Sequence, residues 1–101
     1  MLKSHEEALK KFSGIGKKAK IVLFGSVARG DYRLDSDIDI ALITDDMDTV
    51  KEARRIADDL LAQGKLISIK HFTKADFERR VRMKDSFVME VLKGKVIYGG
   101  G

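Results

Sequence analysis

Apolar residues along this chain fall into short separate runs that predict strands. The runs "AKIVLFGS" and "SDIDIALIT" are typical of buried strands, and the second begins with polar residues, which favours a strand with one end open to solvent. The segment "KLISIKHF" alternates between two faces and predicts a third strand, and "KVIY" near the C-terminus predicts a short fourth one. The segments between these runs carry helical patterns.

The clearest predicted helix is "TVKEARRIADDLLAQG", whose apolar side chains share one helical face. Thr49 and Glu52 have the spacing of a capping box at its start, and Gly64 predicts its end. The other predicted helices are about residues 4 to 13, a brief one in "SVARG", "ADFERRVRM" begun by Thr73 and Asp76, and "SFVMEVLKG" ended by Gly94. Helices and strands therefore alternate along the chain.

Length and composition indicate one globular domain over residues 1–101. The chain has 101 residues and 11.3 kDa, with 44% hydrophobic and 36% charged residues, as in an ordinary soluble protein. No cysteine is present, which excludes disulfides and a thiolate zinc site. The apolar runs are too short to span a membrane and "MLKSHEEALKK" does not resemble a signal peptide, so a cytoplasmic location is expected.

The net charge of +4 is unevenly distributed. Residues 1–20 carry six Lys against two Glu, residues 21–63 carry five basic against ten acidic residues, and residues 64–101 carry nine basic against four acidic residues. Basic flanks of this kind can steer a polyanion toward the acidic middle, which alone would repel one. The alternative is that these lysines and arginines only solvate helix faces.

Two aspartates at the start of the second predicted strand are the first candidate site residues. Asp37 and Asp39 are two positions apart, so on a strand their side chains project to the same face while Ile38 and Ile40 face the other way. Paired carboxylates repel each other unless a cation lies between them. They can share one or two Mg²⁺ ions, which prefer oxygen ligands and complete their coordination with waters and substrate phosphates.

A Gly-Ser pair at the end of the first predicted strand supplies a candidate phosphate site. At a strand end that leads into a helix, backbone N–H groups attract an anion, and Gly25 lets a phosphate approach closely. The Ser26 hydroxyl adds a donor, and Arg29, one helical turn later, adds a charge for a triphosphate. Phosphates beside a magnesium site are what phosphoryl or nucleotidyl transfer needs.

These residues resemble the DNA polymerase beta nucleotidyltransferase superfamily. Gly25-Ser26, ten residues and then Asp37-Ile38-Asp39 match its signature, and "GSVARG", "SDIDIALI" and "VLKGKVIYG" resemble its minimal nucleotidyltransferases over nearly the whole chain. The resemblance implies an α+β fold with a small mixed β-sheet backed by helices. It also implies transfer of a nucleoside monophosphate, most simply AMP from ATP, with Mg²⁺. Minimal members often pair as antitoxins with a small helical HEPN protein, and some are thought to add AMP to a tyrosine of that toxin.

Carried over onto this chain, the resemblance assigns phosphates to Gly25 and Ser26, with Arg29 near them, and assigns Mg²⁺ to Asp37 and Asp39. One feature departs from the family. Active members usually have a third carboxylate on a following strand, whereas "KLISIKHF" contains no acid, and Ser68 occupies the corresponding position. Asp76 is a possible substitute, although it also fits a helix start. A positioned acid or base is typically worth ~10² to 10⁴ in rate.

Two function classes therefore stay open at this point. The first is a nucleotidyltransferase whose acceptor is a protein partner or, as the less favoured alternative, a small molecule or RNA. The second is a catalytically weak or inactive module of the same fold that neutralises its partner by binding alone. A small chain without a second lobe is expected to work with a partner or as a homo-oligomer. Direct binding of nucleic acid is not expected.

Plainer interpretations exist for the single residues. Asp37 and Asp39 can lie at an exposed strand end without metal, and Arg29 can be a surface cation. His71 is more simply structural than a base.

Overall fold

A computed structural model describes residues 3–25 and 37–99 of the chain. The brief helix predicted in "SVARG" lies outside these residues. The elements are α1 (Lys3–Lys10), a short 3-10 helix (Ser13–Ile15), β1 (Lys20–Phe24), β2 (Ile38–Ile43), α2 (Met47–Ala62), β3 (Ile67–Phe72), α3 (Lys74–Arg82), α4 (Ser86–Leu92) and β4 (Lys95–Tyr98). The four predicted strands are confirmed, and α1 ends before the predicted residue 13.

The strands form one mixed sheet in the order β3-β2-β1-β4. β1 pairs antiparallel with both β2 and β4, whereas β2 and β3 are parallel. The parallel pair requires a crossover connection, which α2 supplies. The predicted α+β class with a small mixed sheet backed by helices is therefore confirmed.

Each face of the sheet carries its own hydrophobic core, because successive strand side chains point to opposite faces. The first core lies against α1 and α2, and includes Ile21, Leu23, Ile38, Ile40, Leu42, Val50, Ala53 and Leu60. The second core lies against α3 and α4, and consists of Val22, Phe24, Ala41, Ile43, Phe72, Val88 and Val91. By the same alternation, Asp39 belongs to the face of the second core.

The start of α2 differs from the predicted one. Its N-cap is Asp46, whose carboxylate accepts a hydrogen bond from the Asp48 backbone N–H at 3.1 Å. Thr49, the predicted cap, is inside the helix and only 3% exposed, and its hydroxyl donates to Asp46 Oδ2 at 2.8 Å. Glu52 forms an ion pair with Arg55 instead of closing a capping box.

The predicted end of α2 and the predicted start of α3 are confirmed. Gly64 follows α2 with a positive φ of +84°, and its N–H donates to the Leu61 carbonyl at 2.9 Å. Thr73 caps α3, since its hydroxyl accepts from the Asp76 backbone N–H at 3.1 Å. Within the described residues, no helix combines the length and apolar character needed to cross a membrane.

Candidate active site

Asp39 lies near the start of β2, between two neighbouring strands. Its Cα pairs with that of Phe24 at the end of β1 and with that of Ser68 near the start of β3. The residue is half-buried, while Asp37, just before the strand, is exposed. Because β2 begins where β1 ends, the antiparallel pairing brings the Asp37-Ile38-Asp39 segment to the same edge of the sheet as Gly25.

Gly25 lies directly against the Asp39 carboxylate. It follows β1 with φ +81°, a conformation that side chains other than glycine rarely adopt. A Cβ atom added at this position would lie 2.6 Å from Asp39 Oδ2, closer than any van der Waals contact allows. The turn after β1 therefore needs glycine for two reasons, its backbone conformation and its close approach to this carboxylate.

Replacing Gly25 by alanine is expected to destabilise the fold modestly and to remove binding of Mg²⁺ and ATP. The left-handed conformation costs alanine about 1–2 kcal/mol, and the added methyl group must also displace the Asp39 carboxylate. Gly64→Ala is a matched control, because Gly64 has a similar φ of +84° and no atom within 4 Å of its added Cβ. Thermal unfolding and calorimetric titration with Mg²⁺ and ATP test both variants.

We expect both glycine variants to lose stability through backbone strain, Gly25→Ala to lose more because of its contact with Asp39, and only Gly25→Ala to lose binding. If Gly25→Ala and Gly64→Ala bind the nucleotide equally well, the contact between Gly25 and Asp39 is not part of a nucleotide site. The comparison therefore separates backbone strain from the local effect on the carboxylate.

Two of the predicted phosphate-binding residues, Ser26 and Arg29, lie outside the described residues. The described part of the predicted site thus consists of Gly25, Asp37 and Asp39. Gly25 lies against Asp39, and Asp37 directly precedes β2 at the same edge of the sheet.

The donor set at this edge suits Mg²⁺. Asp37 and Asp39 offer hard carboxylate oxygens, and no described group of three or more His, Cys, Asp or Glu residues is arranged to hold a metal. Magnesium is often bound by only one or two carboxylates, with substrate phosphates and water completing an octahedron. Asp37 and Asp39 therefore offer the one or two carboxylates with which Mg²⁺ is often bound together with a nucleotide.

Ser68 occupies the neighbouring position on β3. Residues paired in adjacent parallel strands point to the same face, so the Ser68 side chain shares the face of Asp39. It is half-buried. The family resemblance predicts Ser68 at the position of the third carboxylate, and in the strand register Ser68 is paired with Asp39.

Asp76 does not replace the absent carboxylate. It lies in the first turn of α3, beyond the C-terminal end of β3, whereas Asp39 pairs near the N-terminal end of that strand. Hydrogen bonds from Arg79 and then Arg80 hold the pKa of the Asp76 carboxyl below its ordinary value. A carboxylate held by two guanidinium groups is a weakened base, so Asp76 is a helix-start residue that also pairs with the next turn.

His71 is structural. Its Nε2 lies 2.9 Å from the Thr44 carbonyl oxygen, and because a carbonyl only accepts, Nε2 carries the proton. In the strand register His71 pairs with Leu42, on the face opposite Asp39. The simpler prediction for this histidine is therefore supported.

An aromatic pair near the site was not predicted. Phe24, the cross-strand partner of Asp39, has its ring 5.4 Å from that of Phe87 in an edge-to-face arrangement. Phe87 lies near the start of α4, and 37% of it is exposed. No motif marks Phe87, and only the packing of α4 on β1 brings its ring to this face of the sheet.

Comparison with known proteins agrees with this geometry. The family model described as a nucleotidyltransferase domain matches residues 2–98. The chain belongs to this nucleotidyltransferase family. The matched residues include Gly25, Asp37 and Asp39. Nucleotidyl transfer is the activity for which the family is named.

Two relatives from Methanocaldococcus jannaschii are similar to this chain. One, named "Putative protein adenylyltransferase MJ0604", is 36% identical over an alignment of 103 positions, which covers 94% of this chain and 99% of the relative. The other, named "Putative protein adenylyltransferase MJ0141", is 45% identical over 40 residues, and this match covers 40% of each chain. Both names describe transfer of an adenylyl group to protein.

Proposed function

We propose that this protein transfers AMP from ATP to a hydroxyl group of a protein partner in a Mg²⁺-dependent reaction. The observation that carries the proposal is the contact between Gly25 and the Asp39 carboxylate, which brings a predicted phosphate-binding residue next to a predicted Mg²⁺ ligand. Family membership supports nucleotidyl transfer, and the names of the two relatives support adenylyl transfer to protein.

In this proposal the chain mainly positions charge. Gly25 and Ser26, with Arg29, would hold the β and γ phosphates, and Asp37 and Asp39 would hold Mg²⁺. The bound ion would neutralise the phosphate charge that develops as the acceptor oxygen attacks. The acceptor oxygen forms its bond to the α phosphorus as pyrophosphate leaves. Because β3 offers Ser68 and no acid, the hydroxyl proton passes to solvent or to a group of the partner.

The identity of the transferred group is tested with ATP labelled at different phosphates. The protein, Mg²⁺ and a lysate of its source cells are incubated with α-labelled or γ-labelled ATP, and labelled protein bands are detected. We expect a band from α-labelled ATP and none from γ-labelled ATP, since pyrophosphate leaves. Label from the γ position alone would indicate phosphoryl transfer and would overturn the proposal. Competition with unlabelled GTP, CTP and UTP tests the choice of ATP.

For the acceptor we propose a small helical protein of the HEPN class, which makes this chain its antitoxin. The support is the resemblance to minimal nucleotidyltransferases together with relatives named for transfer to protein. The mass of the band labelled from α-labelled ATP tests this choice. A labelled species other than a small helical protein would contradict it while leaving nucleotidyl transfer intact.

One observation favours a second candidate, a binding module with little activity. Ser68 stands beside Asp39 where a third carboxylate would complete the site. In that case the partner is neutralised by contact alone, and replacement of Asp37 and Asp39 by asparagine leaves neutralisation unchanged.

A further inference from the structure

A concave site lies at the opposite end of the sheet from Asp39. It is a cleft of about 660 Å³ between the segment that leads into β1 and the helix α3. Lys20, the first residue of β1, and Ile43, the last residue of β2, pair with each other at this end. Lys20 is four residue steps along β1 from Phe24, the partner of Asp39, which corresponds to ~14 Å.

The cleft gathers cations from both basic flanks of the chain. Lys17, Lys18 and Lys20 come from the N-terminal flank, and Lys74 and Arg82 come from the C-terminal flank. Glu78 is the one acidic residue among the described residues that line the cleft. Basic segments that are far apart in the sequence therefore form one positive surface.

The five cations are only weakly compensated within residues 3–25 and 37–99, where Lys18 lies close enough to the Asp46 carboxylate for their charges to interact. None of them forms a salt bridge there, whereas Arg55 pairs with Glu52, and Arg79 and Arg80 both pair with Asp76. Five cations with one lining carboxylate among them repel one another, and this repulsion destabilises the fold. An external anion bound in the cleft would relieve that repulsion.

The floor of the cleft indicates which kind of anion fits. It is apolar, formed by the buried residues Ala19 and Ile43 and the half-buried residues Phe77 and Val81. A nucleic-acid backbone would place phosphates over this apolar surface and gain little from it. A protein segment with acidic and apolar side chains matches both the rim and the floor.

We infer that this cleft is a docking site for an acidic protein segment that also carries apolar side chains. The docking does not depend on nucleotidyl transfer, because the cleft shares none of its lining residues with the edge formed by Gly25, Asp37 and Asp39. A protein bound in the cleft would leave that edge open.

The test measures binding of a short fluorescein-labelled peptide, in which pairs of Glu alternate with pairs of Leu, by fluorescence anisotropy. The test variant is Lys17→Gln with Arg82→Gln, since both side chains are exposed at the cleft. The matched control is Lys51→Gln with Lys93→Gln, which removes the same charge from exposed positions outside it. Loss of two exposed ion pairs is expected to weaken binding about tenfold, with no change in the control.

Two altered peptides and a single-stranded RNA decide which class of anion binds in the cleft. Peptides with Leu replaced by Ser, or Glu replaced by Gln, are each expected to bind more weakly than the Glu and Leu peptide. A fluorescein-labelled single-stranded RNA of mixed sequence is expected to bind more weakly still. The proposal is overturned if the Glu and Leu peptide does not bind, if both charge variants lose affinity equally, or if RNA binds more tightly and loses affinity in the cleft variant. Thermal unfolding of each variant verifies that it is folded.

Discussion

Replacing Asp37 and Asp39 together by asparagine is expected to abolish transfer of label from α-labelled ATP while the protein stays folded. Asparagine keeps the size of each side chain and removes the charge that holds Mg²⁺. Loss of a group that only supports a metal ligand already costs ~10- to 100-fold. Loss of both ligands is therefore expected to lower the rate on the order of 10³-fold or more.

The matched control for this pair is Asp58→Asn with Asp59→Asn. Both residues are exposed on α2, so this variant removes the same number of carboxylates away from the sheet edge. Label transfer and calorimetric titration with Mg²⁺ and ATP are compared for the two variants. Full transfer by the Asp37 and Asp39 variant would rule out a magnesium site at this edge, and an equal loss in both variants would indicate a general effect of charge.

Local sequence signals were sufficient for most of the fold. Compact apolar runs predicted β1 and β2, and alternation predicted β3, because these strands differ in how many faces they bury. The predicted start of α2 at Thr49 was wrong because "DDMDT" contains several residues that can cap a helix. Asp46 is the cap since its carboxylate reaches both the Asp48 N–H and the Thr49 hydroxyl.

Predicting which residues lie beside the site residues requires knowledge of the strand pairing as well as of local sequence patterns. The spacing of Gly25 and Asp39 predicted that they belong together, and the antiparallel register of β1 and β2 gives the physical reason. The basic cleft was not predicted, because counting charge along the chain does not reveal where strands begin and end. The sequence left open whether the basic flanks steer a polyanion or only solvate helix faces, and it did not reveal that five of their cations meet at the end of the sheet far from Asp39.

Replacing Ser68 by aspartate is expected to accelerate adenylyl transfer by ~10² to 10⁴, the usual worth of a positioned acid or base. Ser68 is paired with Asp39 in the parallel register and points to the same face, so the new carboxylate would stand beside the existing one. It would supply another oxygen ligand for Mg²⁺ and a base near the acceptor hydroxyl. The measurements are the rate of label transfer and the affinity for Mg²⁺ with ATP.

Ser68→Asn is the control, because asparagine has nearly the size of aspartate and no charge. A rise in both rate and metal affinity for aspartate alone would mean that this chain keeps an incomplete but functional site. If aspartate and asparagine have the same effect, Ser68 does not occupy the position of a missing carboxylate, in spite of the strand register. Metal affinity is measured without an acceptor protein, so this comparison is decisive even if the wild-type protein transfers AMP too slowly to detect.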